Sequence, residues 1–185
     1  LLAGHSTGGL VCALYAREGQ CRDAVRALWL NSPFFDWRLP DWRIAQLHLA
    51  AAVGRFFPFL KDETTLRADY VNSLLDDGWE FDLELKPPLG FGVYYGWLGA
   101  ITDAHARVQR GLAIRCPVLA VHSDEADIVL DWRHIARWSR TLGEDVSVLA
   151  FPGAPHDVVL ARPHIREELF TQLFAWAERA VALEA

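Results

Sequence analysis

The sequence predicts an α/β fold, a parallel sheet flanked by helices, with a mostly helical cap inserted between two of its strands. Three observations carry that expectation. Gly4-His5-Ser6-Thr7-Gly8 lies between an apolar run, Leu1-Leu2-Ala3, and a helix-like run that opens Gly9-Leu10-Val11. Apolar runs at 118–121 and 146–151 alternate with helical patterns toward the end of the chain. Between these regions, about 34–114, the chain is rich in Trp, Pro and Gly and shows no clear strand–helix alternation.

The first apolar run reads as a strand. The second reads as a helix buried on most of its surface through Leu10, Val11, Ala13, Leu14 and Tyr15, with Gly19 as its stop. Ser6 then stands at the apex of a sharp turn, in a strained backbone conformation. Gly4 and Gly8 keep its surroundings free of side-chain bulk, and Gly9 lets the helix approach the strand. The start of the helix aims its unpaired N–H groups and positive dipole end at the serine.

Residues 25–30 (V-R-A-L-W-L) read as a buried strand closed by Asn31-Ser32-Pro33. In the insert, 41–53 and 64–75 look helical. The stretch 78–99 looks irregular and aromatic, with Trp79, Phe81, Phe91, Tyr94, Tyr95 and Trp97. The run 118–121 is a strand buried on both faces, and 131–142 a helix ended by Gly143. The strand 146–151 leads into the turn Phe151-Pro152-Gly153-Ala154-Pro155, and a long helix over 163–183 closes the chain. The expected domains are a core at 1–33, a cap at 34–114 and the rest of the core at 115–185.

Composition bounds the function. Of 185 residues, 52% are hydrophobic and 23% charged, with a formal net charge of −6. An acidic chain without a basic run argues against nucleic acid and against an anionic membrane surface. No apolar stretch is long enough for a transmembrane segment. Cys12, Cys21 and Cys116 suit small core hydrophobes in a reducing, cytoplasmic setting better than a disulfide framework. His48, His105, His122, His134 and His164 lack metal-site spacing, and no motif requires a cofactor. The chain has no Met and begins almost on the Ser6 turn, so it is expected to be the C-terminal part of a longer protein.

A serine hydroxyl is a poor nucleophile at neutral pH and needs a base within hydrogen-bond reach, held in its tautomer by a carboxylate. His156, just after the last expected strand, is where that base should stand. The acid is expected in the loop after 118–121, which holds Asp124, Glu125 and Asp127. Asp127 is favoured because Ile128-Val129 can pack down and anchor the loop. Asp124 comes next, Glu125 behind it, and Asp36 after the preceding strand is an outside candidate. The backbone N–H of Thr7 is the expected oxyanion donor, and a second donor should come from an earlier loop. His5 reads as packed under the sheet edge beside the serine. With Trp79, Tyr94, Tyr95 and Trp97 it makes up the candidate substrate-contacting set, although the aromatic insert equally suits a small core of its own.

Gly4-His5-Ser6-Thr7-Gly8-Gly9, Leu30-Asn31-Ser32-Pro33, Pro117-Val118-Leu119-Ala120-Val121, Ala126-Asp127-Ile128-Val129 and Gly153-Ala154-Pro155-His156-Asp157 together resemble the capped α/β-hydrolases. The most similar group is the monoacylglycerol lipase / lysophospholipase set, also labelled "serine aminopeptidase" hydrolases. The resemblance implies Ser6 as nucleophile, Asp127 as the orienting acid, His156 as base and Thr7 as an oxyanion donor. It also implies a small ester or lipid-like substrate cleaved through an acyl-enzyme, with a peptidase or amidase of the same fold, or a catalytically incomplete fragment, as the alternatives. One departure stands out. Ser123-Asp124-Glu125-Ala126-Asp127 replaces the group's Gly-x-x-Asp and is longer by a residue.

Overall fold

Four short strands, the inner two largely buried, build the sheet that positions the site. In the computed structural model, residues 1–62, 72, 74, 78–82, 84, 85 and 92–182 are described. In chain order the elements are β1 (Leu2–His5), α1 (Thr7–Glu18), β2 (Leu28–Asn31) and α2 (Asp41–Gly54). Next come β3 (Lys61–Asp62), β4 (Val93–Tyr94) and α3 (Tyr95–Gln109). The chain continues with β5 (Val118–His122), α4 (Trp132–Ser139), β6 (Val146–Ala150) and α5 (Pro163–Ala182).

Strands β1, β2, β5 and β6 form one parallel four-stranded sheet in that order. All five residues of β5 are buried, as expected for an interior parallel strand covered on both faces. Alternation sends Leu119 and Val121 to the face where Ile165, Leu169, Leu173 and Trp176 of α5 pack, joined there by Trp29 and Leu149. Each fully buried leucine on that face contributes roughly 1.5–3 kcal/mol of transfer free energy.

Register explains how distant residues meet. His5, Asn31, Val121 and Leu149 pair across the sheet in one row. The loops that follow them therefore leave from one edge, and those loops carry Ser6, Pro33, Asp127 and His156.

Helix α1 differs from expectation. Leu10, Ala13 and Ala16 form its buried stripe, but Val11 is 60% exposed and Tyr15 39%. The stripe that packs on β1 and β2 takes the three-residue spacing, and Val11 and Tyr15 fall on the other side. The cysteines differ too: all three are free, but Cys21 is exposed and Cys12 half-buried, and Cys116 alone of them is buried.

The chain divides into two compact units, Leu1–Arg38 with Ala104–Ala185, and Leu39–Asp103. Residues 34–38 and 104–114 thus fall in the first unit. Phe34 and Phe35 are buried, His105 Nε2 donates to the Phe34 carbonyl at 2.9 Å, and Ile114 bridges to Gly143. In the second unit, α2 spans the helix expected at 41–53, and β3 pairs antiparallel with β4. The irregular stretch expected over 78–99 is corrected from Tyr95 onward, where α3 begins. Gly96 and Gly99 disguised that helix, whose buried stripe is Leu98, Ile101, His105 and Val108. The helix expected at 64–75 falls largely outside the described residues, as does Phe91. No helix among the described residues is long and apolar enough to cross a membrane.

Candidate active site

The turn between β1 and α1 holds Ser6 at φ 52°, ψ −121°, a backbone conformation that non-glycine residues rarely adopt. Such a residue costs on the order of 1–3 kcal/mol and persists only where its surroundings fix it. Here the Ser6 N–H donates to the Asn31 carbonyl at 3.0 Å, and the Ser6 carbonyl accepts from Phe34 N at 3.0 Å and Leu10 N at 3.2 Å. The glycines divide the work differently from expectation. A Cβ on Gly4 would come within 2.6 Å of the Gly8 carbonyl oxygen, and one on Gly9 within 2.9 Å of Pro33 Cβ. A Cβ on Gly8 would meet nothing within 4 Å among the described residues. Gly4 thus lets α1 close onto β1, Gly9 makes room for the loop after β2, and Gly8 is not required by space.

His156 and Asp127 arrive from the loops after β6 and β5. His156 Nε2 lies 3.0 Å from Ser6 Oγ, and His156 Nδ1 lies 2.9 Å from Asp127 Oδ2. A carboxylate only accepts, so Nδ1 carries the proton and Nε2 presents its lone pair to the serine hydroxyl. His156 is 3% exposed and Asp127 1%. Asp127 Oδ1 accepts from Val129 N at 2.8 Å and Leu130 N at 2.9 Å, which closes the loop around the carboxylate. Burial acts to raise its pKa. The hydrogen bond and charge of His156, with the Leu130 and Val129 N–H groups, outweigh burial and hold it below the usual value.

The other carboxylates do different work. Asp124 Oδ1 accepts from Ala126 N and Gly153 N, both at 3.0 Å, and those bonds lower its pKa. It ties the acid loop to the histidine loop, as does the Ser123 hydroxyl through the Ala154 carbonyl. Glu125 pairs with Arg133 at 3.2 Å in solvent. Asp36 accepts from Trp138 Nε1 at 3.0 Å and lies 3.6 Å from His134 Nδ1. The acid contact to His156 is made by Asp127 alone of these four.

Two sets of residues escaped the sequence reading. Arg38 Nη1 donates to the Asp127 carbonyl at 2.6 Å, across 89 positions. Asn31 Nδ2 donates to Asp157 Oδ1 at 2.6 Å, across 126 positions. Asn31 and Asp157 both stand in the quoted motifs, but no spacing rule pairs positions so far apart. His122 is buried against Trp132, its ring centroid 5.9 Å away, with its pKa lowered chiefly by burial. Among the described residues no group of three His, Cys, Asp or Glu could hold a metal ion.

Thr7 is the first residue of α1, so its N–H is one of the helix-start donors without an intrahelical acceptor. His5 lies beside His156, with ring centroids 4.9 Å apart. Trp79, Tyr94, Tyr95 and Trp97 all belong to the second unit, where Tyr94 and Trp97 are exposed. In total, Ser6, His156 and Asp127 form one continuous hydrogen-bonded line. Such a line can withdraw a proton from the serine as its oxygen attacks a carbonyl carbon.

The family model described as "Serine aminopeptidase, S33" matches residues 1–162. No curated protein matches the sequence. Among solved structures, a soluble variant of monoglyceride lipase from Saccharomyces cerevisiae, in complex with a substrate analogue, superposes with a TM-score of 0.73 at 17% identity. That match covers 96% of this chain and 64% of the other. A monoacylglycerol lipase from Paleococcus ferrophilus gives 0.73 at 24% identity, covering 98% and 67%. A thermophilic esterase from Thermogutta terrifontis gives 0.59 at 20%, covering 97% and 64%. The chain therefore spans about two thirds of the length of these proteins, and the likeness to them shows the α/β-hydrolase fold.

Proposed function

We propose, from the premise that this chain belongs to the serine aminopeptidase S33 family of α/β-hydrolases, that it cleaves carboxylic esters through a Ser6–His156–Asp127 triad and an acyl-enzyme. The observation that carries this reading is the unbroken line from Ser6 Oγ through the His156 ring to Asp127, at 3.0 and 2.9 Å. Ser6 Oγ attacks the ester carbonyl while its proton passes to His156 Nε2. The resulting imidazolium is stabilised by Asp127, and its proton then goes to the departing alkoxide. Water, activated by the same nitrogen, attacks the acyl-enzyme, releases the acid and returns the proton to Ser6. The negative charge that builds on the carbonyl oxygen in both steps suits the Thr7 N–H and the positive end of α1.

The proposed substrates are small esters with lipid-like acyl chains, of the monoacylglycerol or lysophospholipid kind. Support comes from the lipases among the solved structures of this fold. The family label favours a second reading, amide or peptide cleavage by the same groups. Both readings are tested by matched p-nitrophenyl esters and p-nitroanilides offered to the intact protein, with a fluorophosphonate probe for Ser6. Ester turnover and probe labelling that vanish together in Ser6→Ala are the expected result. Turnover surviving Ser6→Ala removes the serine from the mechanism, and faster anilide cleavage moves the substrate to the peptidase class.

A further inference from the structure

The chemistry proposed above leaves a second His–Asp pair, immediately beside the first, without a role. His5 Nδ1 lies 3.0 Å from the Asn31 carbonyl, and His5 Nε2 lies 3.8 Å from Asp157 Oδ2. Asp157 Oδ1 accepts from Asn31 Nδ2 at 2.6 Å and from Val159 N at 3.1 Å. Asn31 Oδ1 accepts in turn from Val158 N at 3.3 Å. Asn31 is 4% exposed and ends β2, and its carbonyl is the acceptor for the Ser6 N–H at 3.0 Å.

One residue thus bonds both the backbone of Ser6 and the two residues that follow His156. The main chain of Asn31 holds Ser6, while its side chain holds Asp157 and Val158, the two residues that follow His156. An amide N–H donating to a carboxylate at this length is a charge-assisted bond, about twice as strong as a neutral one. On its upstream side the histidine loop is tied to the acid loop, through Gly153 to Asp124 and Ala154 to Ser123. On its downstream side it is tied to β2. His156 is therefore gripped from two neighbouring strands, and the downstream grip shares a residue with the serine turn.

We propose that Asn31 and Asp157 form a positioning bracket that sets the distance between His156 Nε2 and Ser6 Oγ, with His5 as its outer brace. The proposal rests on the reading of Ser6 and His156 as nucleophile and base. Its physical ground is the steepness of catalysis with geometry: a misplacement of about 1 Å can cost about 10²-fold in rate. Neither Asn31 nor Asp157 needs to touch the substrate, so the bracket should act on the chemical step and leave binding nearly alone.

The test is steady-state turnover of a p-nitrophenyl ester by the intact protein, with the rate of fluorophosphonate labelling and the melting temperature measured alongside. Asn31→Ala and Asp157→Ala should lower kcat and the labelling rate by roughly 10- to 100-fold, with KM within about threefold. The double variant should lose well under the product of the two single losses, because both remove the bond that the two residues share. Asp157→Asn is the rescue. Its carbonyl can accept from Asn31 Nδ2 and Val159 N while its NH2 donates to an unprotonated His5, so kcat should return to within about threefold of the parent. Asn31→Asp sets two carboxylates face to face and should not recover. Should the alanine variants fail to fold, the contrast between Asp157→Asn and Asn31→Asp carries the same decision. The bracket is overturned by unchanged kcat in a folded Asp157→Ala, by additive losses in the double variant, or by equal activities of Asp157→Asn and Asn31→Asp. Ser6→Ala is run in parallel: activity surviving there sinks the hydrolase reading itself, whereas its loss beside a fully active Asp157→Ala sinks the bracket alone.

Discussion

Asp124 Oδ1 accepts the Gly153 N–H at 3.0 Å across the same 29-residue separation that joins Asp127 to His156. Both contacts lie beyond the ends of β5 and β6, where Val118 pairs with Val146 and His122 with Ala150. Two loops leaving parallel neighbours in register run side by side, and equal offsets on them meet repeatedly. The first rung fixes the loops to each other, and the second orients the imidazole.

These rungs should separate on mutation. Asp127→Ala removes the carboxylate bonded to His156 Nδ1, so on the proposed mechanism kcat should fall by about 10³- to 10⁴-fold with the fold retained. Asp124→Ala removes two backbone acceptor contacts and should cost about 1–2 kcal/mol of stability with a fall in kcat of no more than about tenfold. Asp36→Ala, which strips a partner from Trp138, should affect stability and leave kcat within about threefold. Urea unfolding and ester kinetics on the three variants check this. An Asp124 or Asp36 variant as impaired in kcat as Asp127→Ala would reassign the acid.

Much of the architecture was legible because its signals are local. The Ser6 turn needs adjacent glycines and a strand-to-helix change, all within ten residues. Strands β5 and β6 announce themselves as short apolar runs, and their order fixes which loops share an edge. The acid was harder, because three carboxylates crowd one loop and sequence alone does not say which one turns inward. The carboxylates differ in burial: Asp127 is 1% exposed with two backbone donors on its second oxygen, and Glu125 lies in solvent. Helix α3 was hidden because Gly96 and Gly99 suppress local propensity while the stripe from Leu98 to Val108 drives the helix by burial. Arg38 and Asn31 were invisible for another reason. Their partners lie 89 and 126 positions away, and no periodicity encodes such pairs.

The glycines around Ser6 should not be equivalent. Gly4→Ala drives a methyl group to within 2.6 Å of the Gly8 carbonyl and 2.9 Å of Cys12 Sγ, forcing α1 away from β1. A cost of roughly 1–3 kcal/mol with loss of turnover is expected, since the displaced helix start carries the Thr7 N–H. Gly8→Ala meets open space and sits in a helix, where alanine is the better residue. Its stability should be equal or higher by up to about 1 kcal/mol. Chemical denaturation of the two variants checks the contrast, and a Gly8→Ala protein as unstable as Gly4→Ala would show that backbone freedom, not space, is what position 8 requires.

His105 should give the protein a pH-dependent stability that has nothing to do with catalysis. Its Nε2 donates to the Phe34 carbonyl, and its Nδ1 has no hydrogen-bond partner among the described residues. Edge contacts with Phe34 and Trp37 enclose the ring. Burial is the largest influence, and it outweighs the Phe34 bond and the charge of Asp36, so the pKa is pushed down to about 4. In the unfolded chain the same group titrates near ~6.5. Between those values the unfolded state binds the proton and the folded state does not. Stability is therefore full above about pH 6.5 and declines as pH falls toward about 4, by up to about 3 kcal/mol. Asp127 acts in a lower window: its folded pKa is depressed, so its contribution is present above the ordinary carboxylate value and is lost as pH falls below it. Urea unfolding at pH 7.5 and pH 4.5 separates the two. His105→Gln keeps a donor for the Phe34 carbonyl and cannot take up a proton, so the difference in stability between these pH values should shrink by most of the His105 share. An undiminished difference in His105→Gln would place the titration on another group.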